Sequence, residues 1–262
     1  MTRTSFLLTV CFLLIGCALP MHATTTCTYN FQSGTGNSFI HFCVTVNGNI
    51  STITTPDGDQ QLASAGEGYG ICGVNNPTRY EDYGTSDTGN WQAPSLVSKT
   101  GSAVKIARTT SDGHWTLTQT ITKVPKTTSI TVVMALTNNQ SISDGAFLVR
   151  YADPEPEGQL SDSAEYLPTI NTVSAVEVNV TTDDGNSWLP GLQLQNVGTP
   201  GFGFWQGYVQ DVPTGPNACA FSGFAARLGG VRFISGTSIE MVYVDAIPAH
   251  KTKTVTLSYH GF

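Results

Sequence analysis

Asp112-Gly113 stands between two runs in which apolar and hydroxylic residues alternate, and no other feature narrows the possible folds as far. An Asp-Gly pair flanked in this way marks a β-hairpin, because the tight turn that suits twisted strands needs positive φ at its central residues. A two-residue turn there pairs Thr110 with Trp115, Arg108 with Leu117, Ile106 with Gln119 and Val104 with Ile121. The opposite face then carries Lys105, Ala107, Thr109, Thr116, Thr118 and Thr120, as a half-buried sheet requires. Val124-Pro125-Lys126-Thr127 reads as a second reversal. As a four-residue loop it sets Ile121 against Ile130, Gln119 against Val132, Leu117 against Met134 and Trp115 against Leu136. Both turns place their apolar residues on one shared face, an agreement that a one-residue slip would destroy.

The same alternation recurs along the chain. Strands are expected at 44–55 (with a hairpin at Asn47-Gly48), 145–153, 173–180, 203–210, 218–225, 230–235, 239–246 and 252–260. Long loops are expected at 74–101, 154–171 and 181–202. Helices are disfavoured, because 36 Thr and 27 Gly outweigh the residues that helices prefer. With 10% aromatic and only 12% charged residues, the composition is not that of a disordered chain. No flexible linker or internal repeat appears, so residues 24–262 read as one domain. The expected fold is all-β: a large antiparallel β-sandwich with its long loops gathered at the ends.

Residues 1–23 read as a signal peptide, with Arg3 ahead of an apolar run from Phe6 to Ile15. That run is too short to span a bilayer, which takes about 20 residues, and no later stretch qualifies as a transmembrane segment. Two ends of the leader compete. Cleavage after Ala23 releases a soluble protein, whereas Leu14-Ile15-Gly16-Cys17 resembles a bacterial lipobox that removes 1–16 and lipidates Cys17 as a membrane anchor. Either way the protein is exported, to the periplasm or outside the cell.

Four cysteines remain in the folded part, an even number that in an oxidising compartment indicates two disulfides. A hairpin centred on Thr35 would oppose Phe31 to Phe39, Tyr29 to His41 and Cys27 to Cys43. This gives Cys27–Cys43 and leaves Cys72–Cys219. The spacings fit no zinc site, and no metal or other cofactor is expected. Asp57-Gly58-Asp59 and Asp183-Asp184-Gly185-Asn186 are oxygen-rich, but are also what turns are made of. A net charge of −7 excludes nucleic acid as a partner.

Three groups of residues are candidates for function. Segment 67–91 is a glycine-rich stretch with the character of a loop, and it concentrates Glu67, Tyr69, Tyr80, Glu81, Asp82, Tyr83 and Trp91. Flat rings beside carboxylates suit a sugar-binding surface, and the same rings would equally serve to pack a long loop onto the sheet. Arg108 faces the side of Trp115 and Leu117, and Arg150 with Asp153 poses a similar problem on another strand. Each guanidinium lines a polar pocket or is held by an internal salt bridge to Asp153 or Glu67, since an unpaired buried charge is very costly.

Motifs for hydrolytic triads, zinc proteases, phosphate loops and dinucleotide sites are all absent. Glycoside hydrolysis needs only two suitably spaced carboxylates, for which Glu67, Glu81, Asp82, Asp112 and Asp153 are eligible. Thr-rich alternating strands with large glycine-rich loops resemble, loosely and at the level of fold, the sandwich domains of carbohydrate-active proteins. Three readings follow: a non-catalytic protein binding a polysaccharide or other glycan through the 67–91 aromatics, a carbohydrate-active hydrolase, lyase or epimerase, or a structural surface protein. The last is expected if those aromatics are buried.

Overall fold

A computed structural model of the chain describes residues 26–56, 60–84, 86–155, 163–167, 172–176, 191–198, 201–210, 212, 214–223, 231–232 and 238–261. The leader, Cys17 and both acidic turns lie outside them.

In chain order the strands of the first half are β1 Tyr29–Ser33, β2 Ile40–Val44, β3 Ile50–Thr54, β4 Leu62–Gly73, β5 Arg79–Tyr83, β6 Ser86–Asp87, β7 Ser95–Lys99, β8 Ala103–Thr109 and β9 Trp115–Lys123. The second half supplies β10 Ser129–Asn138, β11 Asp144–Pro154, β12 Ser163–Leu167, β13 Thr172–Val176, β14 Gly191–Asn196, β15 Phe204–Gln210, β16 Val231–Arg232, β17 Ser238–Ile247 and β18 Thr252–Gly261. They form a nine-stranded sheet, β16-β12-β13-β14-β18-β10-β9-β8-β7, a six-stranded sheet, β15-β17-β11-β4-β5-β6, and a small sheet, β1-β2-β3. Every pairing is antiparallel. The only helical elements among the described residues are short 3-10 turns at Gly36–Ser38 and Ala220–Gly223. None is long and apolar enough to cross a membrane.

The two large sheets bury one core between them. Ile106, Leu117, Ile121, Val132, Met134, Leu136, Val255 and Leu257 come from the nine-stranded sheet, and Tyr69, Ile71, Leu148, Ile239, Met241 and Tyr243 from the six-stranded one. Phe31, Ile40, Phe42 and Ile53 of the small sheet join the same core. The outward face of β9 is Thr116, Thr118, Thr120 and Thr122, all half-exposed.

The Asp112-Gly113 hairpin has the expected register: Arg108 opposes Leu117, Ile106 opposes Gln119 and Val104 opposes Ile121. At the next reversal the face is as expected but the register is two residues away. Val132 opposes Ile121, Met134 opposes Gln119 and Leu136 opposes Leu117. The reason lies in the loop. The Val124 N–H still donates to the Ser129 carbonyl at 3.2 Å, so the four unpaired residues are Pro125 to Thr128. Lys126 takes a φ of 61°, and the Thr127 hydroxyl donates to Val124 O while accepting from Ser129 N–H.

The Cys27 hairpin differs by three residues. Phe31 opposes Phe42 and Asn30 opposes Cys43, because the 3-10 turn at Gly36–Ser38 lengthens the connection. Cys27 lies beyond the end of β1 and bonds Cys43 with a Cα–Cα separation of 5.5 Å. Cys72–Cys219 is the second disulfide. Segment 74–101, expected as loop, contains β5, β6 and β7; segments 154–171 and 181–202 contain β12 and β14. The strand expected at 218–225 is instead the short helical turn Ala220–Gly223, with 224–230 outside the described residues.

Candidate functional site

The inner polar residues are organised by the turn that joins β2 to β3. Asn47, Gly48 and Asn49 are buried, and Gly48 has a φ of 92° that favours glycine. Asn47 Nδ2 donates to Asp82 Oδ2 at 2.8 Å, and Asn49 Nδ2 donates to Asp82 Oδ1 at 3.0 Å. Arg108 Nη1 reaches Asp82 Oδ2 at 2.6 Å and Tyr69 OH at 3.2 Å, with its guanidinium 5.1 Å from the Trp91 ring centroid. Burial pushes the Asp82 carboxyl up to about 6, opposed by Arg108.

Arg150 pairs with Glu67, donates to Gln119 Oε1 at 2.5 Å and lies 5.9 Å from the Tyr259 ring centroid. Glu67 also accepts from Tyr259 OH at 2.7 Å and from Ile50 N–H at 2.5 Å. Burial raises the Glu67 carboxyl above its ordinary value while Arg150 opposes the shift. These two ion pairs are sealed between the sheets: Glu67, Asp82, Arg108 and Arg150 are all buried. Of the alternatives, the internal salt bridge is what the structure contains. Arg150 takes Glu67, whereas Arg108 takes Asp82, because Asp153 faces the other side of its strand and meets Ser238 Oγ.

Tyr69, Tyr80 and Trp91 are likewise core residues, with Trp91 edge-on to both tyrosines. Tyr80 OH donates to Asp112 Oδ2 at 2.5 Å at the rim. The loop expected at 67–91 is in large part strand, and its rings offer no open face to a sugar. The sequence signal was the glycines themselves. Gly66, Gly68 and Gly70 alternate with Glu67 and Tyr69 along β4, so the glycines share the outer face and the other residues point inward.

That outer face of the six-stranded sheet carries a second polar group. One transverse row runs Tyr208, Glu240, Tyr151 and Gly68, by the registers of β15, β17, β11 and β4. Tyr83 of β5 continues it, its ring centroid 5.3 Å from that of Tyr151. Beside the row Glu81 accepts from Arg79 at 2.5 Å and from the Ala218 N–H at 2.7 Å. Asp153 lies on the same face at its far end. The segment 214–223 covers this face: Gly215 sits against the Tyr83 ring, Phe221 packs on Tyr208 with centroids 5.0 Å apart, and Cys219 is bonded to Cys72.

Glu240 is fully buried. Its Oε2 accepts from Gln210 Nε2 at 2.6 Å, while Oε1 has no hydrogen-bond partner among the described residues. The Tyr83 hydroxyl is in the same position. Burial pushes the Glu240 carboxyl up to about 8, with Gln210 opposing, so the group is neutral at pH 7. Burial, together with Glu81 and Glu240, holds the Tyr83 phenol well above its ordinary range. The face thus carries two carboxyls in unlike settings, Glu240 neutral and Glu81 paired with Arg79, on strands separated by β11 and β4.

Of the expected site residues, the structure places Tyr83 and Asp153 on this face with Glu81, and the other seven in the interior. Sequence reasoning missed Glu240, Tyr151 and Tyr208. The available signal was a lone carboxylate in the otherwise apolar alternation Ile239-Glu240-Met241-Val242. Among the described residues no group of His, Cys, Asp and Glu is arranged to hold a metal ion.

No protein-family profile matches the sequence, and no curated protein shows significant similarity to it. Solved structures do share its fold. A galactose mutarotase-like protein from Lactobacillus casei aligns at a TM-score of 0.51 and 8% identity, over 89% of this chain and 100% of that one. A bacterial glucoamylase complexed with acarbose aligns at 0.51 and 12% identity, over 92% of this chain and 33% of that one. A heparan sulfate lyase from Pedobacter heparinus aligns at 0.49 and 9% identity, over 92% and 36%. The chain spans about a third of the length of the glucoamylase and the lyase. At these identities the likeness is one of fold: an antiparallel β-sandwich shared with carbohydrate-active proteins.

Proposed function

We propose that the protein is carbohydrate-active and that it works at the outer face of the six-stranded sheet, which carries Glu81, Glu240, Tyr83 and Tyr151. The observation that carries this reading is the presence on one sheet face of two carboxyls in unlike settings: Glu81 held by Arg79, and Glu240 kept neutral by burial. The shared fold with sugar-acting proteins supports it. Catalysis, as hydrolase, lyase or epimerase, fits these groups better than passive binding through the 67–91 rings, which are buried.

The proposal includes export, through the leader 1–23 or with an anchor at Cys17. Two disulfides suit the oxidising setting of the periplasm or the cell exterior. The test is a panel of neutral and acidic polysaccharides and of free aldoses, followed by reducing ends, unsaturated products and anomer exchange. Conversion of one class, lost in Glu81→Gln, is the expected result. Absence of both binding and conversion across the panel would leave the second reading, a structural surface protein, which the burial of Tyr69, Tyr80, Tyr83 and Trp91 favours.

A further inference from the structure

We propose that Glu240 and Tyr83 are the binding groups of a site for an uncharged, hydroxyl-bearing ligand, a neutral sugar rather than a uronate or a sulfated one. This rests on the carbohydrate-active reading and gives it a substrate class.

Two buried polar atoms without partners, Glu240 Oε1 and Tyr83 OH, belong to one transverse row and are separated by the Tyr151 ring. A buried polar atom left unpaired has given up its bonds to water without replacement, so two in one row mark a place where something else supplies the bonds. The glycines explain how Tyr83 comes to stand in the row. A Cβ on Gly70 would lie 2.3 Å from the Tyr83 hydroxyl oxygen, and one on Gly215 would lie 2.2 Å from the Tyr83 ring. Only residues without side chains let Tyr83 stand where it does.

Charge decides the ligand class. The titratable groups around Glu240 are Tyr151 from β11, Tyr208 from β15 and, past the Tyr151 ring, Tyr83 of β5, with Asp153 acting on Tyr151 and Glu81 on Tyr83. The described residues of the covering segment, 212 and 214–223, carry no charge. Among the described residues the cation on this face is Arg79 of β5, and it is bonded to Glu81 through both Nε and Nη2. An anionic sugar would meet carboxylates with no free cation among the described residues of this face to offset them, whereas a neutral one brings hydroxyls that both donate and accept. Glu240 in its neutral form donates to a ligand oxygen, and Tyr83 does the same.

The test uses the disulfide-bonded full chain. Infrared difference spectra at pH 6.5 should show the C=O stretch of a buried protonated carboxyl that Glu240→Gln removes. Calorimetry or saturation-transfer NMR with galactose, glucose, maltose and glucuronate should show binding of a neutral sugar in preference to glucuronate. Between pH 6.5 and 9 that binding should weaken about tenfold in the parent protein and stay constant in Glu240→Gln. Tyr83→Phe, which keeps the ring packing, should weaken it by a similar factor and covers the case in which Glu240→Gln does not fold. Absence of the carboxyl band overturns the role of Glu240. The band with glucuronate preferred overturns the ligand class, and the band with no sugar bound overturns the carbohydrate reading beneath it.

Discussion

Tyr83 and Tyr151 meet edge to face above Gly68, their ring centroids 5.3 Å apart and their planes inclined at 61°. The contact exists because β4, which runs between their strands, presents Gly66, Gly68 and Gly70 on that face where the two rings meet. A Cβ on Gly68 would lie 2.0 Å from the Asp82 carbonyl oxygen and 2.7 Å from Tyr83 Cα. Side chains from two strands that are not neighbours thereby share one row.

The two glycines should respond differently to alanine. At Gly70 the added methyl meets a side-chain hydroxyl, and at Gly68 it meets backbone, which cannot give way. Gly70→Ala should destabilise by about 1–3 kcal/mol and Gly68→Ala by more. Tyr83→Phe should recover much of the first loss and none of the second. Urea unfolding of the singles and doubles measures the coupling.

Arg150→Met should cost about 3–5 kcal/mol, because it leaves the Glu67 carboxylate uncompensated in the core. Converting both partners, in Glu67→Leu with Arg150→Met, should return most of that stability. A double variant as unstable as the single would show that Tyr259, Gln119 and Ile50, rather than the missing charge, dominate the cost.

The two disulfides should differ in worth. Cys72 and Cys219 are 147 residues apart, and Cys27 and Cys43 are 16 apart. Loop-closure entropy assigns about 5 kcal/mol to the longer closure and about 3 kcal/mol to the shorter. Thermal unfolding of Cys72→Ala/Cys219→Ala should therefore occur below that of Cys27→Ala/Cys43→Ala. Hydrogen exchange should rise first at 214–223, which the longer bridge holds against the sheet.

Stability should fall as pH rises through the neutral range. The Glu240 carboxyl goes from an ordinary 4.5 to about 8 in the folded protein, so the native state holds a proton that the unfolded state has released. The stability this contributes is complete below pH 4.5 and is lost as the pH climbs to 8. Glu240→Gln should flatten that part of the profile, as read from denaturant midpoints between pH 5 and 9.

Local pattern made much of the fold legible. The alternation around Asp112-Gly113 determines which residues of β8 and β9 are buried, because period-2 side-chain direction and a two-residue turn leave no freedom. Past Pro125 the same pattern still specifies the face but not the register, since a shift of two residues keeps every side chain on its side. The pairing of the cysteines was readable from their number and spacing, although the diagonal geometry of Cys27 was not. Segment 67–91 was misread because glycine signals loop, and here its alternation clears one face of a central strand.

The sequence alone therefore determined the class of fold and the buried faces around the reversals at Asp112-Gly113 and Pro125, which follow from near neighbours along the chain, and by elimination the cysteine partners. The three-residue shift of the Cys27 hairpin reverses which face of β2 is shared with Phe31. Only tertiary structure decided that Arg108 meets Asp82 and Arg150 meets Glu67. It alone decided, too, that Glu240 joins Tyr83 across three intervening strand pairings. Those contacts depend on the order in which strands assemble into a sheet, and strand order is set by the burial of the whole core rather than by any local run of residues.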